Sequence, residues 1–290
     1  MGMESKQMKW GYLIVLALIW GSSFILIKRG LVGLSVLQVG SMRIIFAAFF
    51  LLSIGFKSIF LIPKWKWKYI ALTSLFGTFL PAFLFALAQT EIDSAVSSIL
   101  NSLTPLHTLI LGVLVFGVGY QKRQVWGVFI GLVGTLLLVF DGAMAHPNQN
   151  YYYAILIILA SICYALNVNF IKRYLSDLSP LSISAGNFLV LLLPAVLVLF
   201  FSDFPWQIPS DKVQDSILFI MILGIFGTGI ANILFFKLIQ ISSPVFATSV
   251  TYLIPVVAFC WGLVDNEMLT SVQFVGAFIV LIGVYLSARK

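Results

Sequence analysis

SLFGTFLPAF, residues 74–83, and GIFGTGIANI, residues 224–233, carry the same Phe-Gly-Thr triplet 150 positions apart. Working outward from the triplets, Pro105 recurs at Pro255 and Gly112 at Gly262, again 150 on. Gly127 and Gly134 recur at Gly276 and Gly283, 149 on, and Lys28-Arg29 recurs at Lys172-Arg173, 144 on. An apolar sequence of low diversity throws up chance matches, but matches in one order and at nearly the same spacing across 290 residues mark an internal duplication. Two equivalent halves are expected, residues 1–143 and 144–290, joined in the break from Asp141 to Tyr151.

The chain is 61% hydrophobic and 9% charged with a mean hydropathy of +1.07, whereas soluble domains carry roughly a quarter charged residues. Lipid is the expected solvent. The net charge of +7 sits in short breaks between apolar runs and forms no groove-sized basic patch, so nucleic acid is set aside as a partner. Cys163 and Cys260 each lie inside an apolar run, which argues against a disulfide framework or a metal site, and no cofactor is indicated. The first apolar run ends in Trp20-Gly21-Ser22-Ser23 without a signal-peptide cleavage pattern and reads as an uncleaved helix.

A span needs about 20 mostly apolar residues. Ten stretches qualify: 10–27, 36–56, 68–88, 95–117, 124–140, 152–172, 181–201, 216–239, 245–264 and 271–288. The expected fold is all-α and polytopic. With the N-terminus inside, the inner breaks hold 13 of the 17 basic residues and the outer ones only Lys28, Arg29 and Lys212. The bias places both termini in the cytoplasm of a cell with the protein in its inner membrane. Five spans per half is an odd number, so the second half enters from the opposite face, an inverted repeat. Such repeats house a substrate site near the midplane and work by alternating access. The outer segment from Ser202 to Asp215, with Pro205, Trp206 and Pro209, reads as a surface loop.

Leu18-Ile19-Trp20-Gly21-Ser22-Ser23-Phe24, Arg43 early in the second span, Pro105 and Pro255, and the paired glycines of spans five and ten resemble the ten-helix drug/metabolite transporters built from two EamA repeats. The resemblance covers essentially the whole chain. It departs at Gly117-Val118, where members often carry Gly-Glu, and at Tyr164-Ala165-Leu166, where the tryptophan signature would recur; Asn266-Glu267 keeps the acid in the second half. The resemblance implies a permease whose cavity is formed chiefly by spans one, three, four, six, eight and nine. It does not name the substrate.

Arg43 is the one formal charge set well inside a span, roughly 10 Å below the outer edge. Burying it costs at least ~2.5 kcal/mol, so it is expected to face a cavity or a partner, either clamping a substrate anion or bonding helix-end carbonyls. His107 could exchange a proton and couple transport to a proton gradient, or simply pack. Pro105 and Pro255 free the carbonyls of Asn101 and Thr251, for a kink or for a ligand. Trp20, Thr78, Asn101, Tyr164, Asn167, Asn232, Tyr252 and Trp261 are the other candidates for substrate contact. The aromatics among them are cavity walls or packing, and the amides are lining or interhelical glue. Arg43 would hold an anionic group while Asn101, Asn167, Asn232 and Tyr252 read the rest of the solute. Asn187, the repeat mate of Arg43, marks where the halves diverged.

The expectation is export of a small metabolite such as an amino acid or related zwitterion. A nucleotide-sugar or phosphate-ester antiporter and a non-transport accessory protein are the alternatives. An enzyme is not expected, because the chain has two histidines, one (His146) in a loop, and no acid cluster within the bilayer. The glycine faces suit a monomer or a homodimer.

Overall fold

The computed structural model describes residues 3–92, 94–144, 150–204, 210–264 and 271–288. Pro205, Trp206, Pro209, His146 and Asn266-Glu267 lie outside these ranges, as does the side chain of Trp261. Among the described residues there is no strand, and the helices follow the expected ten segments. Six are long and apolar enough to cross a bilayer unaided: spans one, two, three, six, seven and eight, of which the last three run Ala154–Tyr174, Pro180–Phe200 and Asp211–Ile241. The first helix is Met3–Gly30, the second Val36–Ile59, and the third continues from Lys64 to Ala88. Spans five and ten are Lys122–Met144 and Ser271–Ala288.

Spans four and nine are interrupted. Span four is Ser94–Asn101 followed by Thr104–Leu114, and span nine is Pro244–Thr248 followed by Val250–Val264. Pro105 lacks a donor and restricts its predecessor, so the chain leaves the helix at Ser102 and Leu103 and restarts with proline in the first turn. The two carbonyls freed by the prolines are both taken. Thr104 Oγ1 donates to the Asn101 carbonyl at 2.6 Å, and Ser102 Oγ donates to the Thr251 carbonyl at 3.0 Å, tying the two interrupted spans together where they cross. Removing the Ser102 hydroxyl therefore orphans a buried carbonyl, which costs about 1–3 kcal/mol. Ser184 Oγ is equally buried but has no partner. Thermal unfolding in detergent is expected to fall in Ser102→Ala and to hold or rise in Ser184→Ala; equal effects would sink this account.

Spans three and eight contain π-helical turns at matching places, Leu75–Phe79 and Leu223–Ile230. Both contain the Phe-Gly-Thr triplet. A wide turn bulges the helix and commonly sits at a functional site.

The contacts are symmetric under exchange of the halves. Span two packs on span seven and span five on span ten, while span one lies against spans eight and nine as span six lies against spans three and four. The halves run oppositely. The end of span six sits at the end of span eight, where Lys172 Nζ donates to the carbonyls of Ile239, Gln240 and Ser242 at 2.8–3.2 Å. The start of span one reaches the same level, with Lys9 4.7 Å from the Phe246 ring centroid. The end of span one lies at the start of span eight, where Ser216 Oγ donates to the Arg29 carbonyl at 3.1 Å. Spans one and six are thus antiparallel, as an odd repeat requires.

Spans five and ten owe their closeness to glycine. A Cβ on Gly283 would stand 2.4 Å from the Gly131 amide nitrogen and 2.8 Å from the Gly127 carbonyl, and one on Gly134 would stand 2.6 Å from the Val280 nitrogen. These faces are filled inside one chain.

The Lys66 face is fastened between the halves. Lys66, 2% exposed at the start of span three, pairs with Asp177 in the turn after span six, and Tyr69 stacks on Tyr174 with centroids 4.1 Å apart. The hydrogen bond from Lys66 holds the Asp177 carboxyl below the usual carboxylate range. A depressed folded-state pKa contributes stability that is present at neutral pH and is lost as pH falls below about 4 and through the lowered value. Asp177 is largely exposed, so its part is modest. The melting difference between the unmodified chain and Asp177→Asn is expected at neutral pH and should vanish toward pH 3; a difference constant across that range would refute the linkage.

Candidate functional site

Between the halves lies a cavity of about 820 Å³, counting its mouth. Span one contributes Trp20, Ser23, Phe24 and Ile27, and span two contributes Arg43. Span three gives Gly77, Thr78, Ala82 and Phe85; span four gives Asn101 and Thr104; span six gives Tyr164 and Asn167. Spans eight and nine complete it with Gly227, Thr228, Asn232, Phe235, Thr248, Thr251 and Ile254. The lining reaches Ile27 near the Arg29 face. Toward the Lys66 face, span one instead buries Leu13, Leu16 and Ala17 with Leu238, Ile239 and Phe246, which closes that end.

Arg43 is set by the start of its helix. Ser35 and Gln38 form a capping box, with Ser35 Oγ accepting from the Gln38 amide and Gln38 Oε1 accepting from the Ser35 amide, and Gln38 Nε2 donates to the Ser202 carbonyl at 2.9 Å. Gly224 then lets span eight touch span two: a Cβ there would meet the Arg43 carbonyl at 2.9 Å. This contact brings the π turn to the guanidinium, whose Nε donates to Thr228 Oγ1 at 2.7 Å. Among the described residues no carboxylate pairs with Arg43 and no group bonds its two Nη atoms.

Part of the other polar lining is similarly uncommitted. Thr78, Tyr164, Asn167 and Asn232 make no side-chain hydrogen bond among the described residues, and Asn167 Oδ1 is a fully buried acceptor without a partner. Around them stand Trp20, Phe24, Phe85 and Phe235. The Trp20 ring is fixed by a 2.9 Å bond from Nε1 to the Gly227 carbonyl in the π turn and by an edge contact with Phe235. A cation without a counter-ion among the described residues, several neutral donors and acceptors and an aromatic wall suit a small amphipathic solute with an anionic group.

Of the candidates read from sequence, Trp20, Arg43, Thr78, Asn101, Tyr164, Asn167 and Asn232 meet in this cavity. His107 and Tyr252 do not. His107 Nδ1 lies 2.8 Å from Ser161 Oγ between spans four and six, so a proton there would act on packing and not directly on a solute. Tyr252 is fully buried, and its hydroxyl donates to the Val128 carbonyl at 3.0 Å, holding span nine to span five. Both lie at the depth of the cavity but on helix faces turned into neighbouring spans, a face the sequence reading did not assign. Asn187, the mate of Arg43, is buried glue beside Thr73. The carbonyls of Asn101 and Thr251 are occupied by hydroxyls, which favours the kink over ligand binding. Gly77, Gly227 and Phe235 were missed; only the repeated triplet signalled the first two.

The model of the EamA-like transporter family matches residues 9–140 and 152–289. The chain belongs to that family. Across 97% of its length this EamA-like transporter is 26% identical to an uncharacterized transporter of Archaeoglobus fulgidus, 99% of which is covered. It is 27% identical over 95% of its length to the inner membrane transporter YedA of Escherichia coli K12, covering 89% of that protein. It is 24% identical over 96% of its length to a probable amino-acid metabolite efflux pump of Salmonella typhimurium, covering 94% of it. A solved crystal structure shares the fold of this EamA-like transporter with a TM-score of 0.73 at 14% identity, over 99% of this chain and 96% of that one.

Proposed function

We propose that this membrane transporter exports a small amino acid or related zwitterion across the cytoplasmic membrane by alternating access, with both termini in the cytoplasm. The observation that carries the proposal is the uncommitted Arg43 guanidinium in the wall of the central cavity. A buried cation without a counter-ion is costly, and a ligand carboxylate relieves that cost. Phosphate esters carry more negative charge, and Arg43 is the only formally charged side chain lining the cavity among the described residues, which favours a carboxylate. The name of the Salmonella relative agrees with efflux of an amino-acid metabolite, and the excess of lysine and arginine in alternate breaks supports the orientation.

In this reading the cavity leans to the outer, Arg29 face, and the Lys66–Asp177 and Tyr69–Tyr174 contacts close the cytoplasmic end. Export requires these contacts to part while the outer mouth closes. Culture medium from cells expressing the chain is expected to accumulate one or a few amino-acid-like solutes above an empty-vector control. A medium unchanged for every zwitterion, with the protein present in the membrane and active vesicles equally silent, would reject the proposal.

A further inference from the structure

The repeat lets the two walls of the cavity be compared position by position. Ser23 and Asn167 are mates 144 residues apart, and each lies against the glycine of a π turn, Gly227 and Gly77 respectively. A Cβ on Gly227 would stand 2.8 Å from Ser23 Oγ, and one on Gly77 would stand 2.6–2.7 Å from all three atoms of the Asn167 amide end. The mates differ in what they do. Ser23 satisfies itself by donating to the Ile19 carbonyl at 2.9 Å, whereas the Asn167 amide, 3% exposed, bonds nothing among the described residues and leaves Oδ1 without a partner there. A buried acceptor without a partner is costly and rare in native proteins. Here it borders a cavity.

Charge is distributed with the same asymmetry. One wall holds Arg43 on Thr228; the mate of Thr228 on the other wall is Thr78, and the mate of Arg43 has become Asn187, which turns away into packing. The cavity therefore has a cationic pole on one side of the pseudo-two-fold axis and a neutral acceptor pole on the other. A symmetric anion would leave the second pole unused.

We infer that the Asn167 amide is the docking point for the substrate's ammonium group, and that Gly77 is the residue that positions it. The inference rests on the zwitterion reading above and adds a discrimination: the transporter selects α-amino acids over carboxylates of the same shape that lack the amine. The terminal torsion of an amide is soft, so a turn about it exchanges Nδ2 for Oδ1 at the cavity wall. Oδ1 then accepts from the ammonium while Arg43 holds the carboxylate. A neutral acceptor fits the task, because a carboxylate at Asn167 would offset the positive charge that Arg43 offers to the substrate's own carboxylate. Gly77 acts through Asn167: any side chain there displaces the amide.

The test is ligand binding to the purified full-length protein in detergent, by calorimetry, with each standard amino acid, its deaminated acid and its α-amide. The unmodified chain is expected to prefer amino acids over deaminated acids by about tenfold or more, the scale of a hydrogen bond to a charged group. Asn167→Ala should shrink that preference to about twofold while leaving the deaminated acids bound as before. Gly77→Ala should behave like Asn167→Ala, and Ser184→Ala, buried outside the cavity, should keep the full preference. Should Gly77→Ala not fold, Asn167→Ala and Asn167→Gln carry the test, Gln restoring part of the preference. A uniform loss across all three ligand classes in Asn167→Ala would overturn the inference and leave Asn167 as packing. Retained carboxylate preference in Arg43→Ala, with amine preference lost in Asn167→Ala, would reject the clamp alone. If no amino acid binds, both readings fall.

Discussion

Arg43→Ala is expected to impair transport severely but to leave a folded protein at least as stable as the unmodified chain. The expected loss in transport efficiency is about 30-fold to more than 1000-fold, matching the ~2–5 kcal/mol that truncating one member of a buried charge pair costs. Stability moves the other way for a physical reason. Arg43 has a single neutral partner, Thr228, among the described residues, and its charge sits deep in the second span. Deleting an under-compensated buried charge relieves desolvation that one hydroxyl does not offset. Arg43→Lys is expected to fall between, because it keeps the charge but loses the planar fork. Transport per correctly inserted molecule, with the melting temperature of the same preparation, decides the matter. A clear drop in melting temperature with unchanged transport would make Arg43 a structural residue.

The second large effect is on folding. Gly283→Leu is expected to prevent assembly of spans five and ten, and Gly283→Ala to cost about 2–3 kcal/mol or more, at or beyond the upper end of ordinary overpacking. The obstacle in each case is backbone. The new Cβ would stand 2.4 Å from the Gly131 nitrogen and 2.5 Å from its Cα, atoms that no rotamer change can move. By contrast Gly11, which has nothing within 4 Å of its Cβ position, should accept alanine without loss. Unfolding curves of the two alanine variants in one detergent make the comparison. Equal stability would mean that the spans five and ten contact contributes little.

The period of the apolar runs and the spacing of the repeat made the ten segments, the inversion and part of the cavity lining legible beforehand. Trp20 and Tyr164, or Thr78 and Thr228, could be matched across the halves because the spacing of the repeat carries over from one half to the other. Depth in the membrane was legible in this way, but the face of the helix was not. Thr251 lines the cavity and its neighbour Tyr252 does not, because successive residues of one helix point about 100° apart. His107 likewise lies at midplane depth but meets Ser161 between spans four and six. The prolines announced which carbonyls would be freed, but only the crossing of spans four and nine brings Ser102 to the Thr251 oxygen. The widened turns around Gly77 and Gly227 have no periodic signature at all; they depend on what the opposing helix presses against them.

Those widened turns also date the molecule. Each is a local excess of backbone, and each falls on the same triplet, Phe76-Gly77-Thr78 in one half and Phe226-Gly227-Thr228 in the other. A defect shared at equivalent places was inherited from one ancestor, so it existed before the halves were joined. With both halves held in one chain, each position is free to differ from its mate: Arg43 faces the cavity where Asn187 packs, and Asn167 stands where Ser23 does, so a nearly symmetrical frame can accommodate a lopsided ligand.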